Sequence, residues 1–139
     1  MADYKISTAV AGVPLGIKPQ ILEVVLDFSS SNLTTSDSAE VFKMKANTLV
    51  LMAGVEVLTL AGSGSPTLDL GDDSDDDIFA SAVQGHTALV TGTTSAGKLY
   101  RVADTIDLIA NSATFDGKVR VYAVIAELGT AGTATSFSA

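Results

Sequence analysis

The sequence has no cysteine and no tryptophan, one histidine and three prolines in 139 residues. Without cysteine, neither a disulfide framework nor a thiolate metal site can hold the chain together. With His86 as the only imidazole, a zinc centre lacks the several His or Cys ligands it ordinarily uses. Charged residues are also scarce, at 17%, and only 8 of them are Lys or Arg. The formal net charge of −8 argues against nucleic acid, whose binding depends on clustered cations. No long hydrophobic run exists. The longest, residues 48–61, is broken by Glu56 and falls short of the roughly 20 residues a spanning helix needs. Met1-Ala2-Asp3-Tyr4-Lys5 has no basic segment leading into an apolar core, so no signal peptide is expected.

What remains is apolar. Hydrophobic residues make up 47% of the chain and the mean hydropathy is +0.38. Disordered chains show the opposite balance, so one folded domain with a substantial core is expected. Residues 1–19 read as an extended N-terminal arm, because Pro14 and Pro19 oppose helix and sheet and no period appears. The arm is apolar at Ile6, Val10, Val13, Leu15 and Ile17, as a segment that docks on a partner would be. From Gln20 a period of two begins: Leu22, Val24, Leu26 and Phe28 point one way, Glu23 and Asp27 the other. Residues 41–44, 67–70 and 105–109 read as strands. Residues 48–60 read as two strands, or one bent at Gly54. Residues 87–91 and 99–102 flank a Gly/Thr/Ser loop and read as a hairpin. Asp116-Gly117 is a turn, after which Val119, Val121, Ala123 and Ile125 alternate with polar residues. One short helix is expected over 75–83, from the spacing of Ile78, Phe79, Ala82 and Val83, with Ser74 as cap and Gly85 as stop. The expectation is an all-β domain over 20–128, a β-sandwich or a jelly-roll-like or barrel-like module, followed by a small-residue tail over 129–139.

Candidate chemistry is sparse. Gly92-Thr93-Thr94-Ser95-Ala96-Gly97-Lys98 nearly matches a phosphate-binding loop. Leu99 stands where a magnesium-binding hydroxyl belongs, and a strand rather than a helix follows. Five of the sixteen acids are Asp72, Asp73, Asp75, Asp76 and Asp77, more than half of the net charge. Asp73, Asp75 and Asp77 alternate as calcium ligands do, but Ile78 and Gln84 occupy the positions where such a loop needs Gly and Glu. Acids that favour the start of a helix, or a solvated acidic knob, account for the run equally well. Ser81 lies in no nucleophile-elbow pattern that would make a triad with His86. Asp104 and Asp107 flank a strand signal, yet the aromatic platforms usual in carbohydrate-active sites are missing, so they read as outward-facing strand acids. The chain is therefore expected to be non-enzymatic and without a cofactor.

Three stretches in order carry a resemblance: Thr67-Leu68-Asp69-Leu70-Gly71-Asp72 with its acidic extension, Ala103-Asp104-Thr105-Ile106-Asp107-Leu108, and Gly117-Lys118-Val119-Arg120-Val121-Tyr122-Ala123-Val124. Together, over roughly residues 40–128, they resemble the head decoration (capsid cement) proteins of tailed bacteriophages. The resemblance implies a β-rich module without active-site residues. It implies a homo-oligomer, often a trimer, that sits on the capsid exterior and bridges major capsid protein subunits. The missing cysteines are compatible with synthesis in the bacterial host's cytoplasm, and the charge and the short apolar runs lead to the expectation of no nucleic-acid partner and no membrane. A phage tail or neck component, or a calcium-dependent carbohydrate-binding module, are the other functions the same pattern accommodates.

Overall fold

The computed structural model describes residues 5–6, 18–87, 91–93, 97–129 and 137–138. Its strands in chain order are β1 (Lys5–Ile6), β2 (Gln20–Asp27), β3 (Ser38–Met44), β4 (Thr48–Thr59), β5 (Thr67–Asp72), β6 (Asp75–Gln84), β7 (Thr91–Thr93), β8 (Lys98–Tyr100), β9 (Asp104–Asn111), β10 (Lys118–Glu127) and β11 (Phe137–Ser138). All pairings are antiparallel. Sheet 1 has the order β2-β10-β4, with β7 and β8 both on the far edge of β4. Sheet 2 has the order β3-β9-β5-β6. Among the described residues, β1 pairs with β11 alone.

β7 lies opposite Gly54–Glu56 and β8 opposite Thr48–Val50, so the two form one interrupted edge strand. The hairpin expected over 87–91 and 99–102 is corrected among the described residues: Thr91 lies in β7 and Leu99 and Tyr100 in β8, and both strands pair with β4, while residues 88–90 lie outside the described residues. Counted this way, the sandwich has eight strands. Their order is 1-8-3-6 in one sheet and 2-7-4-5 in the other, the arrangement of a jelly roll. The pairings nest: β2 with β10, β3 with β9, β4 with β7 and β8, β5 with β6. The chain is in effect one long hairpin wrapped on itself, and its tip is the turn between Asp72 and Asp75.

The core follows from the period of two. Val119, Val121, Ala123 and Ile125 of β10 are buried, as are Val50, Val55 and Val57 of β4. From sheet 2, Leu68, Leu70, Ile106, Leu108 and Phe79 meet them. Each fully buried Leu or Phe contributes roughly 1.5–3 kcal/mol relative to exposure. Two bulges re-phase β4. Its register against β10 shifts at Leu51 and at Leu58, not at Gly54, which pairs directly with Tyr122. The single long strand therefore keeps its Val face inward without bending at the glycine. Leu33 and Phe115 exchange backbone bonds of 3.0 and 2.9 Å and close one end of the core. Phe28 meets the Phe115 ring edge-on at 5.9 Å.

No helix occurs among the described residues, and residues 75–83 lie within strand β6. The helical spacing has a different cause. Opposite β5, Leu70 pairs with Ala80 but Asp72 pairs with Asp75, so residues 76–79 bulge past Gly71 alone. A second bulge at Ser81 and Ala82 faces Asp69. Two bulges in one strand bring Phe79, Ala80 and Val83 inward at intervals that mimic a helix. Ala82 takes a left-handed conformation (φ 51°), and its N–H donates to Asp69 Oδ1 at 2.7 Å. Gly71 is required beneath the arch, because a Cβ there would lie 2.1 Å from the Asp75 carbonyl oxygen. Gly85 ends no helix; it lies against the Phe115 ring, where a Cβ would approach to 2.9 Å.

Candidate functional site

Period two places Asp72 on the inner face of β5, in line with Leu68 and Leu70. Its side chain is fully shielded from solvent. Oδ1 accepts from the Ser74 N–H (2.9 Å), the Ser74 hydroxyl (2.7 Å) and the Asp75 N–H (3.1 Å). Oδ2 accepts from Lys98 Nζ (2.5 Å) and the Tyr100 hydroxyl (2.6 Å), both on β8. Lys98 Nζ also reaches Ser74 Oγ (2.9 Å) and lies 4.9 Å from the Tyr100 ring centre. One carboxylate thus closes the hairpin tip with one oxygen and ties sheet 2 to the edge of sheet 1 with the other. Burial opposes its ionisation, but the bonds from Lys98, Tyr100 and Ser74 overcome this and hold the carboxyl well below its ordinary range. Burial and the adjacent Asp72 push the Tyr100 phenol well above its usual range. The residues form a clamp between the sheets. The Ser74 and Tyr100 hydroxyls both donate to Asp72.

The calcium candidates do not converge. Asp75 and Asp77 are exposed, and the Asp77 N–H donates to Asp75 Oδ1 at 3.4 Å. The hydrogen-bonded Asp77 pushes Asp75 up, whereas Asp75 and Ser81 hold Asp77 down. Among the described residues no group of three or more His, Asp or Glu is arranged to hold a metal ion. Ser81 donates to Asp77 Oδ2 at 3.0 Å, not to His86. His86 is half-buried, and its Nδ1 is shielded without a hydrogen-bond partner. Lys98, the last residue of the phosphate-loop-like stretch, is engaged by Asp72. Among the described residues no pocket is present.

Asp107 points outward, as expected of a strand acid, but it is not solvated. It faces away from Ile106 and Leu108, yet only 6% of it is exposed. It sits between Gly71 and Glu40 in the sheet register, and its Oδ1 has no hydrogen-bond partner. Burial pushes its pKa up, the Thr105 bond lowers it, and the charges of Asp73, Glu40 and Asp104 raise it further. Asp104, half-buried, accepts the Thr105 N–H at 2.7 Å.

The outer face of sheet 1 was not singled out by the sequence. Ile21, Val25, Leu51, Met52 and Leu99, on its strands, are all exposed. In its middle, Arg120 Nε lies 2.8 Å from Glu23 and Nη1 3.0 Å from Glu56, joining three strands. The hint was present: β2 alternates Leu22, Val24, Leu26 with Ile21 and Val25, so both faces carry apolar residues. Of the arm residues, Ile6 lies in β1. Val10, Val13, Leu15 and Ile17 lie outside the described residues.

Strand order, nested pairings and a closed two-sheet core define an eight-stranded jelly-roll domain. Three solved structures share it. A chain of the cyanophage Pam1 capsid asymmetric unit superposes with a TM-score of 0.67 at 22% identity, covering 87% of this chain and 93% of the other. A chain of the capsid of Ralstonia phage GP4 gives 0.61 at 16% identity, covering 91% and 95%. One from the acidic stable capsid of Helicobacter pylori bacteriophage KHP30 gives 0.61 at 10% identity, covering 81% and 89%. At these identities the likeness is one of fold. No protein-family model and no curated protein matches the sequence.

Proposed function

We propose that this chain is a non-enzymatic structural component of a bacteriophage capsid, a decoration protein that binds the outside of the shell and bridges major capsid protein subunits. The observation that carries this reading is the length of the structural match. Each of the three capsid chains is covered over 89% or more of its length, so the likeness extends over whole domains. A pattern of strands and turns in the sequence supports the same family. The polar groups agree with it: Lys98 and Tyr100 both donate to Asp72 and tie the two sheets together. In this reading the apolar arm over residues 1–19, with Ile6, Val10, Val13, Leu15 and Ile17, anchors the domain to the major capsid protein. Burying that apolar area would supply roughly 25 cal/mol per Å² before the cost of association. The domain acts as a homotrimer on the virion exterior, after synthesis in the host cytoplasm. The test is co-sedimentation with expanded empty capsids of the cognate phage. The full chain is expected to co-sediment, and a chain beginning at Gln20 to fold yet bind at least tenfold more weakly. Equal occupancy by the truncated chain would refute the anchor, and no co-sedimentation of the full chain would refute the capsid reading.

A further inference from the structure

Sheet 1 presents an outer face divided along its length. At one end the cross-strand rows are Ile21–Val124–Met52 and Ala126–Leu49–Leu99. Neither row contains an ionisable side chain. At the other end the rows are Val25–Arg120–Glu56 and Asp27–Lys118–Thr59, which are rich in charge. The bulge at Leu51 sharpens the division. The extra residue leaves two consecutive large apolar side chains in solvent, Leu51 at 44% and Met52 at 39% exposure. Ile21 at the neighbouring edge is 77% exposed. Among the described residues, five of the seven exposed large hydrophobics belong to strands of this one sheet. Scattered apolar residues on a surface need no explanation, but a contiguous patch marks a contact.

We infer that the uncharged end of sheet 1 is the surface through which one copy of this chain binds another. Charge selects the occupant. Each copy carries a net charge of −8, so two copies repel one another wherever their acidic surfaces meet. Like charge opposes association least where the surfaces brought together carry none, and these two rows meet that requirement. A basic partner would instead be drawn to the exposed carboxylates of Asp73, Asp75, Asp76 and Asp77. Several copies packed about a symmetry axis near Ile21 and Leu51 bury the patch in every subunit at once. This deepens the capsid reading by naming the self-contact such a protein uses, and its test needs no capsid.

The experiment is the mass of the full chain in solution, measured by sedimentation across a concentration series, with far-UV circular dichroism as the check on folding. Wild type is expected to form a discrete oligomer. Ile21→Glu and Leu51→Glu, each placing a charge at an already exposed position, are expected to weaken association at least tenfold while the spectrum stays unchanged. Val102→Glu alters an equally exposed apolar residue between β8 and β9 and is expected to leave the mass as it was. A wild type that is monomeric at every concentration overturns the inference. Oligomers that persist in Ile21→Glu overturn it as well, as does equal dissociation by Val102→Glu. A monomer that still co-sediments with capsids would overturn the self-contact and leave the capsid reading standing. A patch-dependent oligomer that ignores capsids would do the reverse.

Discussion

Replacing Asp72 by Asn keeps the shape of the side chain and removes one of its two acceptors. Oδ1 serves the turn through three bonds, and Oδ2 receives Lys98 and Tyr100. An amide can satisfy one set only; its NH₂ then points donors at donors. The buried Tyr100 hydroxyl or the turn amides lose their partner, and the Lys98 ammonium loses its counter-charge. Breaking a buried charged pair from one side costs about 3–5 kcal/mol. Lys98 is partly solvated, which favours the lower end, about 3 kcal/mol. For a chain of this length that corresponds to a fall in Tm of roughly 10 °C. The assay is thermal and urea unfolding of Asp72→Asn, Tyr100→Phe and the double variant. Tyr100→Phe alone should cost about 1 kcal/mol, and much less in the Asp72→Asn background. The pH dependence has a definite sign. The folded carboxyl titrates below its ordinary value of 3.8, so its contribution is complete above that value and is lost as pH falls. Asp72→Asn should therefore flatten the acid limb of the stability curve. A loss under about 1 kcal/mol, or strict additivity with Tyr100→Phe, would refute the clamp.

Three further outcomes are expected. Asp107 titrates above its ordinary value in the folded state, so its contribution to stability is lost as pH rises; Asp107→Asn should raise Tm at pH 7, and the gain should vanish below about pH 4, which a pH series of melts will read. Gly71→Ala places a Cβ 2.1 Å from the Asp75 carbonyl oxygen and should destabilise by more than about 3 kcal/mol, or leave the chain insoluble. Ala82→Gly relieves a left-handed Ala and should stabilise by up to about 1 kcal/mol in urea unfolding, provided the bond from its N–H to Asp69 persists.

Strands that keep strict alternation were legible. β2 and β10 read correctly because each sends one unbroken apolar set inward, and the all-β sandwich followed from them. β6 misled because its bulges replace period two with intervals of one and three between Phe79, Ala80 and Val83. β7 and β8 looked like a hairpin because two short strands around a Gly/Thr/Ser loop say nothing about which neighbour they pair with; β4, far back in the sequence, decides that. The strand order itself was out of reach, since no local pattern encodes nesting. Asp72 was passed over as one acid in a run of acids. Its even spacing from Leu68 and Leu70 was the signal that it points inward, and Lys98 and Tyr100 share the same parity on β8.

Nesting also dictates how the chain must come together. The β5–β6 tip closes across Asp73 and Ser74, at small entropic cost, and each outer pair closes a loop already shortened by the one inside it. By loop length alone, pairing is expected to begin at the acidic tip and to end with β2 and β10. Until Lys118–Glu127 has left the ribosome, β4 lacks the central partner of its sheet and its valines stay uncovered. Pairings between segments this far apart in sequence are expected to make folding slow, which stopped-flow refolding would measure. A burst of nascent chains at high concentration is when its exposed strand edges are most open to aggregation.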